Sequence, residues 1–115
     1  MLLNLSNHPS SKWAETQIAI AKQQFGSVRD MKFPNIPPEA TAAEVHALAE
    51  QYYICIYTEA PKVVHLMGEM TFTFALVTIL KAAGITCIAS TTNRIVEERD
   101  GKKIVQFEFI RFREY

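Results

Sequence analysis

The chain has 115 residues, the size of one domain with one core. Its composition is 49% hydrophobic and 21% charged, which excludes a disordered chain. Twelve basic residues balance twelve acidic ones; zero formal charge argues against sequence-blind binding to long nucleic acid, and leaves open a small anion held by a few local groups.

Leu2 to Leu5 is a short, mostly apolar strand candidate. No basic region precedes it, so it does not read as a signal peptide. The turn cluster Ser6-Asn7-His8-Pro9-Ser10-Ser11 follows. A hydroxyl of Ser10 or Ser11 can accept a bond from a free N–H of a first helical turn. Ala14, Ile18, Ala21 and Phe25 then recur at helical spacing, and Gly26 supplies the stop.

Val28 to Phe33 reads as a second strand, followed by the proline-stiffened loop Pro34-Asn35-Ile36-Pro37-Pro38. Thr41 and Glu44 form a capping-box pattern. Val45, Leu48, Ala49, Tyr52 and Ile56 mark the buried stripe of the next helix, and Pro61 ends any continuation. Val63 to Met67 is a third strand, apolar nearly throughout, as when both faces are covered. Gly68-Glu69-Met70-Thr71 turns the chain into a helix that runs to about Ala83, stopped by Gly84. Its apolar run from Phe72 to Ala83 is too short, and too interrupted by Thr73, Thr78 and Lys81, to span a bilayer. The cytoplasm is the expected compartment.

Ile85 to Ala89 is a fourth strand, ending in Ser90-Thr91-Thr92-Asn93-Arg94. Ile95 to Glu98 and Lys103 to Phe112 form a hairpin joined by Asp100-Gly101, because both residues tolerate positive φ. Val105, Phe107 and Phe109 alternate with Gln106 and Glu108, as in a half-buried strand. The fold class is therefore α/β: an open sheet of four mainly parallel strands with three helices, plus a C-terminal antiparallel hairpin on one edge, in one domain over residues 1–115. Cys55 and Cys87 lie in hydrophobic runs without a CxxC and read as buried free thiols.

Ligands bind open parallel sheets outside the carboxyl ends of the strands, where strand order reverses. A 2-1-3-4 order would bring Asn7 and His8 close to Gly68 and Thr71. Gly68 permits close backbone approach, the helix that follows favours an anion, and Thr71 and Thr73 add hydroxyls. The alternative is that Gly68 only permits the turn and Thr71 only caps the helix. Glu69 repels phosphate; it can accept from a ribose hydroxyl, act as a base if its pKa is raised, or sit as a solvated carboxylate. His8 can exchange a proton or hold phosphate, or be a plain turn residue. His65, inside an apolar strand, reads as a satisfied core residue. His46 has no metal-ligand partner, so no metal and no cofactor is expected. Arg94 can hold phosphate bidentately or pair with Glu97 or Glu98; Arg111 and Arg113 line an exposed edge. The helix after Gly68 has little polar face, so a second subunit is its simplest cover and a two-fold homodimer is expected.

Three features together resemble the small stand-alone CRISPR-associated Rossmann-fold (CARF-like) proteins, including ring nucleases. They are Leu2-Leu3-Asn4-Leu5-Ser6-Asn7-His8, the segment Val64-His65-Leu66-Met67-Gly68-Glu69-Met70-Thr71 leading into an apolar helix, and the Rossmann-like element order. The family's phosphate-binding turn usually carries more glycine and a lysine, where Glu69 and Met70 stand here. The resemblance implies a role in antiviral defense: a dimer that binds cyclic oligoadenylate across its two-fold axis. It further implies metal-independent cleavage, in which a ribose 2′-hydroxyl attacks the neighbouring phosphate and leaves a 2′,3′-cyclic end. On this sequence His8 and Glu69 would be catalytic. Ser6, Asn7, Asn35, Gly68, Thr71, Thr91, Asn93 and Arg94 would hold the ligand. The alternatives are a non-catalytic module for another nucleotide or small anion, and a protein-interaction subunit.

Overall fold

A computed structural model describes residues 1–115. Five strands form one sheet in the order β2-β1-β3-β4-β5. They are β1 (Leu2–Ser6), β2 (Val28–Asp30), β3 (Val63–Met67), β4 (Cys87–Arg99) and β5 (Lys102–Glu114). Pairs β1/β2, β1/β3 and β3/β4 are parallel, and β4/β5 is antiparallel. The helices are α1 (Glu15–Phe25), α2 (Ala42–Glu59) and α3 (Met70–Ala82), with a 3₁₀ turn at Ser10–Lys12 before α1.

The period-2 alternation of strands sorts the core into two layers. Leu3, Leu5, Val64, Leu66 and Cys87 face α2 and α3, where Phe72, Leu76 and Leu80 meet Val45, Ala49 and Ile56. Leu2, Val63 and Ile88 face the other way, against Ala21 of α1 with Trp13, Phe25 and Phe112. Burying each such Leu or Ile side chain is worth about 1.5–3 kcal/mol, so the two layers fix which strand residues can be polar.

Several local expectations hold with their mechanism. Thr41 Oγ1 accepts from Glu44 N–H at 3.2 Å while Glu44 Oε1 accepts from Thr41 N–H at 3.2 Å, a complete capping box. Asp100 and Gly101 sit at φ 52° and 74°, joining two strands in a two-residue turn.

Others need correction. The fourth strand and the first arm of the hairpin are one continuous strand of 13 residues, so the sheet has five strands rather than six. Its ladder to β3 covers Val64↔Cys87 and His65↔Ile88, and beyond that it pairs with β5. The polar run Ser90 to Arg94 is therefore strand, because β5 supplies its hydrogen bonds. β2 stops at Asp30, and Met31 to Phe33 leave the sheet. No serine caps α1: its N-cap is Ala14, and Ser10 bonds Asp30 instead. Cys55 is exposed, whereas burial pushes the buried Cys87 thiol up to about 11, with Lys81 pulling the other way. No helix is long and apolar enough to cross a membrane.

A bulge shapes the hairpin. Thr91 pairs Arg111 but Thr92 pairs Phe109, so Ile110 is the extra residue. A spacing of three would normally put Phe109 and Phe112 on opposite faces. The bulge turns both toward α1, with ring centroids 5.0 Å apart.

Candidate functional site

The strand order places a switch between β1 and β3, since β1 is flanked by β2 on one side and β3 on the other. A pocket of about 610 Å³ opens there, on the α1 side of the strand ends. The turn after β1 contributes Ser6, Asn7 and His8, and the end of β3 contributes His65, Met67 and Gly68. Lys12, Trp13, Ala14 and Gln17 come from the segment entering α1. The hairpin closes the side with Ser90, Thr92, Phe107 and Phe109. Thr92 and Arg94 pair with Phe109 and Phe107, so one face of the hairpin continues the wall.

Under this pocket runs a chain of polar side chains, buried at Asn4 and His65 and half-buried at Ser90, that cuts across three strands. Asn4, His65 and Ser90 project from β1, β3 and β4 on the α1 face, among otherwise apolar neighbours. Asn4 is 1% exposed and uses its whole amide. Its Nδ2 donates to His8 O and to Asp30 Oδ1, both at 2.8 Å. Its Oδ1 accepts from Ser6 Oγ at 2.8 Å and from His65 Nδ1 at 2.9 Å. A carbonyl and a carboxylate can only accept, so they fix which end of the amide is nitrogen. The amide oxygen then requires a proton on His65 Nδ1. Nε2 is left as the acceptor, and the Ser90 hydroxyl, 2.6 Å away, donates to it. Proton positions from Asp30 to Ser90 are thus dictated by one polarity.

Electrostatics agree with this assignment. Burial pushes the His65 imidazole down to about 4, keeping it neutral. Trp13 and Phe112 meet its ring edge-on at 5.1 Å and 5.6 Å. For Asp30, burial acts upward, but hydrogen bonds from Asn4 and from the Ser10 hydroxyl and N–H outweigh it and hold the carboxyl below its ordinary value. Gln17 Nε2 adds a long 3.4 Å bond to Ser90 Oγ.

The sequence-predicted residues divide. Ser6, Asn7, His8 and Gly68 do meet in the pocket. The position of His8 is set by its carbonyl, which accepts from Asn4 and from Trp13 Nε1 at 3.1 Å, while the residue itself is exposed. Gly68 serves packing: a Cβ there would overlap the ring of Phe33, which stands edge-on to Phe72. Glu69 is the N-cap of α3. It accepts from the N–H groups of Thr71 and Phe72 at 3.0 and 2.8 Å and from the Thr71 hydroxyl at 2.7 Å. The Phe72 N–H above all, then Thr71, holds its carboxyl below the ordinary range, and both of its oxygens are committed to the cap. Thr71 lines a separate pocket with His46, Met70 and Phe74 on the α2 side.

Asn35 is exposed and lines none of these pockets. Thr91 donates to Arg111 O, and Asn93 and Arg94 lie exposed on the hairpin outside the pocket lining. Glu97 pairs with Arg99 at 3.4 Å rather than with Arg94. No group of three His, Cys, Asp or Glu side chains could hold a metal ion. Sequence alone left Asn4 and Asp30 unmarked, set Ser90 aside as a serine without a nucleophile-elbow context, and took His65 as a core residue. The signal was a polar residue inside the apolar runs of β1 and β3, Asn4 and His65, but it needed the register Asn4↔His65 to become a chain.

No curated protein matches the sequence. A family model does match, over residues 1–113, and the chain belongs to the Uncharacterized protein MJ1673 family.

Proposed function

We propose that the pocket at the β1/β3 switch binds a small nucleotide, with cyclic oligoadenylate the ligand class implied by the CARF-like resemblance. The observation that carries the reading is the composition of that one pocket. An aromatic wall from the hairpin, Phe107 and Phe109, faces polar groups from the β1 turn, Asn7 and His8, with the cation Lys12 beside them. Bases stack on aromatic rings, amides read base or ribose edges, and a cation meets phosphate. Phe107, 68% exposed, offers its ring without first breaking a core contact.

A second copy of the chain belongs to the same reading. Met70 and Phe74 of α3 are 83% and 75% exposed. They line an apolar groove that shares Met67 and Gly68 with the nucleotide pocket. A two-fold dimer covering that groove joins two pockets into one larger cleft, as a cyclic ligand with repeated nucleotides requires.

The test is titration calorimetry of the pure protein with cyclic tetra-adenylate, cyclic hexa-adenylate and AMP, in the presence of a chelator. Saturable heat with a cyclic ligand, at one ring per two chains, supports the reading. No heat with any of the three overturns it. The same samples analysed by chromatography distinguish a ring-opening phosphodiesterase from a binding module.

A further inference from the structure

We infer that Ser90 is a nucleophile toward a phosphate ester, with His65 as its base. The substrate class rests on the nucleotide reading of the pocket; the chemistry rests on the hydrogen-bond chain. Ser90 is half-buried and borders the pocket, and its Oγ lies 2.6 Å from His65 Nε2. On the far side of the ring, Asn4 Oδ1 receives Nδ1 at 2.9 Å, and Asn4 is itself held by Asp30 at 2.8 Å. A nucleophile within hydrogen-bond reach of a base, whose other nitrogen is held by a third group, is the geometry of an activated hydroxyl. A core histidine needs only two satisfied nitrogens. Here the partner on one of them is a hydroxyl at an open pocket wall, and the network forces that hydroxyl to donate.

The step balances within the residues present and water. The Ser90 Oγ–H proton moves to His65 Nε2 as Oγ bonds to phosphorus, and the bond from phosphorus to the leaving oxygen breaks. The imidazolium protonates that oxygen, which departs as an alcohol. Neutral His65 then accepts a proton from water as the water oxygen bonds to phosphorus. The Oγ–P bond breaks, and the proton returns to Ser90. Lys12 is the cation of the pocket lining available to the phosphoryl oxygens.

A fluorophosphonate reporter presents electrophilic phosphorus with fluoride as leaving group, and peptide mass spectrometry locates the adduct on the full chain. The expected result is an adduct on Ser90, absent in Ser90→Ala and formed at least about 100-fold more slowly in His65→Phe. If His65→Phe does not fold, the wild-type pH profile replaces it: labelling rises through about pH 4 and is flat above, following neutral His65. The other ionisable groups around the chain are His8 and Lys12 of the pocket lining and Asp30, which holds Asn4. A folded wild-type protein that is unlabelled at Ser90, or labelled equally fast without His65, overturns the proposal. Slowing by cyclic adenylate is read separately. Labelling that no adenylate slows keeps the nucleophile and overturns the nucleotide assignment, whereas adenylate binding without labelling does the reverse.

Discussion

His65 Nδ1 lies 2.9 Å from Asn4 Oδ1, and the two residues are register partners across the parallel strands β1 and β3. A parallel ladder repeats its side chains in step, so this pairing is built into the sheet rather than into a flexible loop. Its consequence is a single tautomer for a buried ring whose other nitrogen faces a pocket hydroxyl.

Removing the amide should therefore be more damaging than its size suggests. Asn4→Ala leaves His65 Nδ1–H without its acceptor and Asp30 without one of its donors. The expected loss is about 2–4 kcal/mol of unfolding free energy, measured by urea denaturation. A loss below about 0.5 kcal/mol would mean that the amide carries no such network.

His65 also sets a pH dependence. Unfolded, it protonates near 6.5; folded, near 4. Between those values the unfolded chain binds the extra proton, so acidification favours unfolding. Stability should be flat above about pH 6.5 and fall by about 3 kcal/mol toward pH 4. The lowered carboxyls of Glu69 and Asp30 add their own losses as the pH falls below their ordinary values of 4.5 and 3.8. Urea midpoints at pH 7.5, 6.0 and 4.5 check this, and a flat series contradicts it.

Two substitutions on the α2/α3 side should move stability in opposite directions. Gly68→Ala pushes a methyl into the Phe33 ring and should cost about 1–3 kcal/mol. Thr73 Oγ1 is buried without a hydrogen-bond partner. Thr73→Val keeps the shape, removes that stranded hydroxyl, and should stabilise by about 1 kcal/mol. Thermal melts of both variants beside the wild type decide each sign.

Ligand affinity should follow the pocket lining rather than the density of charge in sequence. Phe107→Ala removes an exposed stacking ring and should weaken nucleotide binding by about 1–3 kcal/mol with an unchanged melt. Lys12→Ala should weaken it more than Arg94→Ala, because Lys12 lines the pocket and Arg94 does not. Equal effects of the two cations would place the phosphate on the hairpin instead.

The chain's own residues determined the class of fold. Alternating apolar runs and helical stripes, the Thr41/Glu44 cap and the Asp100-Gly101 turn are local features, and each formed where its chemistry required. The site was only half legible. Ser6, Asn7, His8 and Gly68 line one pocket, as expected of turns after parallel strands, which are readable as turns. Glu69 was misread because a carboxylate before a helix looks the same whether it is free or capping, and only the Phe72 and Thr71 N–H groups decide. Asn4, His65 and Ser90 stand far apart in sequence; the first two looked like isolated polar residues in apolar strands, and Ser90 like the start of a polar run. Strand order and register made them neighbours, and the bulge at Ile110 swung Phe109 and Phe112 to the same face. Local propensity fixes which residues form strands; which strands lie side by side, and in what step, is settled by how two apolar layers pack on one sheet.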